Sequence, residues 1–147
     1  MTLFVVFLFL AIYNAGCMTA LQLQHYGIYP GIGRESFAEY MRANNRAAAL
    51  PTIVPGMLLL LSSIALVIFR PSFVRPYEAW LALALNLVTL FSTFRWQRRL
   101  QGDMAVTGYD ETKVRLLIRT NWIRTTSYLL LALLSVAILL RVLQGAA

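Results

Sequence analysis

Residues 2–23 read TLFVVFLFLAIYNAGCMTALQL, a run without a single charged side chain. About 20 apolar residues cross a bilayer as a helix, so this run predicts the first of several membrane spans. A second uncharged run extends from Ala47 to Phe69. Two shorter apolar cores, residues 79–94 and 125–140, are bordered by Trp80, Trp96, Trp122 and Tyr128. Interfacial aromatics and snorkelling Arg side chains extend both, giving expected spans at about 2–23, 47–69, 77–97 and 122–143. The chain is 59% hydrophobic, above the roughly 45–50% of soluble domains, which excludes an ordinary water-soluble fold. The expectation is one all-α integral membrane domain over residues 1–147, an up-down-up-down four-helix bundle with helical cytoplasmic extensions.

The Lys and Arg residues orient it. Arg34, Arg42 and Arg46 fall in the first loop, and Arg95, Arg98, Arg99, Lys113, Arg115, Arg119 and Arg124 in or beside the third. Only Arg70, Arg75 and Arg141 fall on the other side. The positive-inside rule then places loops one and three in the cytoplasm and both termini across the membrane, here expected to be a bacterial inner membrane. A net charge of +7 clustered beside spans points to anionic lipid headgroups rather than nucleic acid. Arg98, Arg99, Arg115, Arg119 and Arg124 are the headgroup-binding candidates. Arg119 and Arg124 could also bind a phosphate, a carboxylate or Glu35 and Glu39 of the first loop; an Arg/Trp anchor that fixes helix depth is the expectation.

Ala15-Gly16-Cys17 resembles the end of a lipoprotein cleavage box, but no basic segment precedes the apolar run and Asn14 stands where an aliphatic residue is usual. A retained helix is expected. Cys17 is the only cysteine and His25 the only histidine, so no internal disulfide and no cysteine- or histidine-rich metal site is expected within one chain.

The loops carry helix signals. Ser36 and Glu39 have capping-box spacing, followed by Phe37, Tyr40, Met41 and Asn44 on one face of a short interfacial helix. Pro51, Pro55 and Gly56 predict a bend or local unwinding at the start of the second span. Residues 101–108 look flexible. Asp110 or Thr107 then caps a helix in which Glu111 pairs with Arg115 and Val114, Leu117, Ile118, Asn121, Trp122 and Thr125 recur at helical spacing.

Few groups suggest chemistry. His25 is the candidate for proton handling, or for ligating one haem or a chlorophyll magnesium; an interfacial His held by local hydrogen bonds is the expectation. Tyr26, Asn86 and Asn121 are the candidate ligand-binding residues beside it. Amides inside spans ordinarily bond helix to helix, and Asn14 and Asn86 are expected to do so. All six Asp and Glu are read as lying outside the spans, which leaves no carboxylate for a proton relay.

His25-Tyr26, Pro30, Gly33-Arg34-Glu35-Ser36-Phe37, the Tyr40 to Arg46 run and the Leu117 to Thr125 run occur in an order that resembles small bacterial four-span membrane proteins of the anthrone-oxygenase-like group. The resemblance implies a four-helix bundle and, as in some relatives, oxidation of an aromatic polyketide-like substrate. It carries over no catalytic residue. Members often bear further histidines where this chain has Met41, Asn45 and Arg98.

The scarcity of reactive groups leads to the expectation of a non-catalytic accessory subunit packed against a larger membrane complex. The alternative is a small membrane oxidoreductase or carrier for an aromatic or quinone-like ligand. A dimeric transporter half, suggested by the proline-broken second span, ranks behind both.

Overall fold

The protein is described from a computed structural model covering residues 1–145. Every described element is helical. Helix α1 (Thr2–Ala20) runs on through a π-helical turn, Leu21–His25, and a 3₁₀ turn, Tyr26–Gly31. A short helix α2 (Phe37–Ala47) leads through a second π turn, Ala49–Ile53, into α3 (Val54–Ile68). Helix α4 (Pro76–Ser92), a third π turn (Thr93–Gln97) and α5 (Arg98–Thr107) form one long rod. Helix α6 (Glu111–Gly145) completes the chain.

Four of these rods, residues 2–31, 50–68, 76–107 and 111–145, are long and apolar enough to cross a membrane. The protein is an integral membrane four-helix bundle. Each span packs on its neighbours in sequence, and α6 closes the ring against α1. Phe4, Phe7, Leu10, Met18, Leu59, Leu66, Leu131 and Ile138 fill the interior. Helix α4 turns Ala79, Ala82, Asn86, Thr89 and Ser92 inward; such small and polar side chains let helices approach closely where lipid supplies no hydrophobic drive.

The prolines of the second span have an atomic consequence. Pro55 lacks the amide that would bond the Pro51 carbonyl, so that oxygen needs another donor. Tyr13 Oη supplies one at 3.1 Å and Cys17 Sγ another at 3.7 Å. Asn14 Nδ2 reaches the Pro55 carbonyl at 3.2 Å. Helix α1 thus repairs the backbone that the prolines break, and Asn14 makes the expected helix-to-helix bond.

Above one end of the bundle, α2 and α5 pack together as a cap. Tyr26, Tyr29, Phe37, Met41, Met104, Val114 and Leu117 form its own apolar core. Three sequence expectations are corrected here. Residues 101–107 are helical rather than loop: α5 continues to Thr107 because Met104 is fully buried, and Gly108, with φ of 84°, makes the break. Arg42 Nη1 donates to the Ala105 carbonyl at 2.9 Å, fastening α5 to α2. The capping box does not form, since Ser36 has near-helical φ and ψ of −90° and −5° and its side chain makes no cap bond. An extended residue is needed to aim the hydroxyl at the free amides. Asp110, by contrast, does cap α6, accepting the Lys113 amide at 3.0 Å, and Arg115 pairs with Glu111 as the spacing predicts.

The third correction concerns Glu78, which lies within the bundle end opposite the cap. It is 4% exposed and ion-paired with Arg141 of α6. Its second oxygen accepts from Arg141 Nη2 and from the Arg75 amide, each at 2.8 Å.

Candidate functional site

Where the bundle meets the cap, a cavity of about 520 Å³ opens among all four spans. The three π turns all contribute to it, through His25, through Pro51, Thr52 and Ile53, and through Thr93, Phe94 and Gln97. A π turn widens the helix by one residue and is frequent at functional sites. Asn86, Thr89 and Leu90 of α4 form one side, Gly56, Met57 and Leu60 of α3 the facing side, and Arg124 and Tyr128 of α6 the back wall. Ile53, Met57 and Phe94 are about half exposed on its rim, so the cavity opens sideways between α3 and α4.

The floor is closed by hydrogen bonds and a glycine. Asn86 Nδ2 donates to Ser63 Oγ at 2.6 Å, tying α4 to α3. At Gly56 an added Cβ would stand 3.2 Å from the Tyr128 hydroxyl and 3.8 Å from Asn14 Oδ1. Glycine therefore gives α6 the room to place Tyr128 under the cavity.

His25 belongs to the roof. Its Nε2 lies 2.9 Å from Asn44 Oδ1, and Asn44 Nδ2 in turn donates to Tyr29 Oη at 3.3 Å. The Tyr29 hydroxyl also lies 3.2 Å from the same Nε2. Tyr26, Tyr29 and Tyr40 surround the ring, with centroids 5.7, 5.3 and 6.1 Å away. Burial, followed by the neighbouring Tyr26, pushes the Tyr40 phenol up from its ordinary range, so it stays protonated at neutral pH. The half-buried imidazole lines the cavity. Its bonds join the end of α1 to α2. Among the described residues, no three His, Cys, Asp or Glu side chains converge on a metal position.

Of the residues singled out from the sequence, His25, Tyr26 and Asn86 meet at this cavity. Asn121 does not line it: fully buried, it donates from Nδ2 to Gln22 Oε1 at 2.7 Å and locks α6 to the end of α1. Arg99, Arg115 and Arg119 are exposed on the cap or the adjoining surface. Neither Arg119 nor Arg124 forms an ion pair with Glu35 or Glu39; the described ion pairs are Lys113–Asp103, Arg115–Glu111 and Arg141–Glu78. Arg98 and Arg124 line the cavity instead.

Sequence reasoning missed Gln97 and the inward role of Arg124. Gln97 donates from Nε2 to the Leu117 carbonyl at 3.4 Å and to Thr120 Oγ1 at 3.1 Å, which fixes the amide and leaves Oε1 buried without a partner. Arg124 Nε is likewise buried and unpartnered. Both atoms are enclosed by protein, while the side chains that carry them line the cavity.

Compared with protein-family models, with curated proteins and with solved structures, the chain matches none. What fold and site define together is a four-span helical membrane bundle enclosing a mostly apolar cavity beneath a helical cap.

Proposed function

We propose that this protein binds an aromatic or quinone-like amphiphile in the cavity between its spans, as a carrier or membrane-embedded receptor. The observation that carries this reading is the cavity itself, a concave and mostly apolar space with a few convergent polar groups, which is the usual form of a small-molecule site. Gln97 and Arg124 supply polar side chains to its lining, while Leu60, Leu90 and Phe94 supply apolar wall. The accessory-subunit expectation rested on the scarcity of reactive side chains; a cavity gives the chain something of its own to bind, and binding is placed ahead for that reason. The engagement of His25 by Asn44 favours holding a ligand over turning it over.

Equilibrium dialysis of the detergent-solubilised protein against menadione, with empty micelles as blank, tests the proposal. Saturable uptake near one molecule per chain is expected, and Leu60→Trp, which fills the cavity from α3, should remove it. Equal uptake by the wild type and Leu60→Trp would refute the site.

The same proposal includes a bacterial inner-membrane setting, with the basic cap in the cytoplasm and both termini outside, by the positive-inside rule. In a Cys17→Ser background, a membrane-impermeant maleimide applied to spheroplasts should label Ser72→Cys and spare Asp103→Cys until the membrane is opened. The reverse pattern would invert the topology.

A further inference from the structure

The cavity holds positive charge without a counter-charge. Arg124, half-buried, enters its back wall from α6, and none of the described ion pairs includes it. Arg98 adds a second guanidinium near the exposed rim. Among the described residues, no Asp or Glu lines the cavity. Cys17, Tyr26 and Tyr128 lie near Arg124, and Tyr26 shares a hydrogen bond with it; a thiol and phenols are ordinarily uncharged at neutral pH. A guanidinium has several N–H donors and no acceptor, so the contact with Tyr26 leaves donors for a further acceptor.

We infer that the cavity selects an amphipathic oxyanion, a carboxylate or phosphate on a flat apolar body, with its head on Arg124. This rests on the reading of the cavity as a ligand site and names the chemistry that site takes. The body lies toward Leu60, Leu90 and Phe94, on the side that opens between α3 and α4 to the lipid. Entry is therefore from the bilayer. Arg98 and Arg99 stand exposed on the same rod, and a basic surface of this kind raises the local concentration of anionic amphiphiles. Arg124 is a binding residue here, and no bond is made or broken.

The test compares three probes of similar shape on the intact protein in neutral detergent: 2-naphthoate, 2-naphthyl phosphate and the uncharged 2-naphthamide. At least one anion should bind about tenfold or more tightly than the amide, as expected for a charge-assisted hydrogen bond. Which anion leads distinguishes carboxylate from phosphate. Arg124→Gln should abolish the preference and Arg124→Lys should keep part of it, with helical circular dichroism and elution volume as folding controls. The wild-type comparison stands alone if a variant fails those controls. Binding of all three probes that Leu60→Trp removes, but with no preference for charge, would overturn this inference and leave the ligand site standing. Absence of saturable binding by any probe would overturn both.

Discussion

Phe37→Ala should detach helix α2 from the bundle while leaving the four spans assembled. Phe37 is fully buried in the cap, edge-on to Tyr29 and Tyr109 at centroid distances of 5.9 and 5.1 Å. Phe→Ala at a core position costs about 3–5 kcal/mol. Besides Phe37, α2 contributes only one fully buried side chain, Met41, so a loss of this size exceeds what an 11-residue helix can retain by itself. Hydrogen exchange should show amides 37–47 opening by several orders of magnitude, and trypsin should cut after Arg42 and Arg46. The interior of α1 and α6 should stay protected. Wild-type protection of α2 in the variant would show that the polar bonds of Arg42, Asn44 and Asn45 hold it without the ring. Because Asn44 and Asn45 line the cavity, the same variant should also weaken ligand binding.

Glu78→Ala should loosen the opposite end. The carboxylate joins α4 to α6 through Arg141 and also accepts the Arg75 amide at the start of α4. Loss of the helix-start bond alone is worth about 1 kcal/mol. The interhelical loss adds to it, because Arg141 then keeps only the Phe73 carbonyl, at 2.9 Å. Glu78→Gln preserves an acceptor for both partners and removes the charge, so it should fall between the wild type and Glu78→Ala in thermal unfolding in micelles. The double variant Glu78→Ala with Arg141→Ala should lose less than the sum of the two single changes, since neither ion is left alone. Strict additivity would show that the pair is not coupled.

The spans were legible because a bilayer imposes a length and a composition on any helix that crosses it, and the runs at 2–23 and 47–69 display both. The face of α2 was legible from the spacing of Phe37 and Met41. Helix α5 was not: Gln101, Gly102 and Asp103 have loop composition, and one buried methionine, Met104, outweighs it through tertiary packing. The Glu78–Arg141 pair spans 63 positions, a separation at which no local pattern connects two charges. At the site, His25, Tyr26 and Asn86 were named from their types and depth. Arg124 was read as a membrane anchor because an Arg near Trp122 has the same local sequence whether it snorkels outward or points into the bundle. Its direction depends on neighbours from other helices. Asn121 was assigned to the ligand, yet its partner, Gln22, lies on the first span.

The three π turns also make bundle and cap independent in rotational phase. Each turn spends an additional residue, and one residue is about 100° of helical rotation. Deleting a residue from Thr93–Gln97 would regularise the rod, yet it would swing Met104 and Gln101 away from α2 while the membrane-buried face of α4 stayed as it is. The turns act as a vernier between two layers with different packing demands, one set by lipid and one by water. Length changes in this protein should thus be tolerated in the loops outside the rods and resisted at the three turns, for a reason separate from the cavity they line.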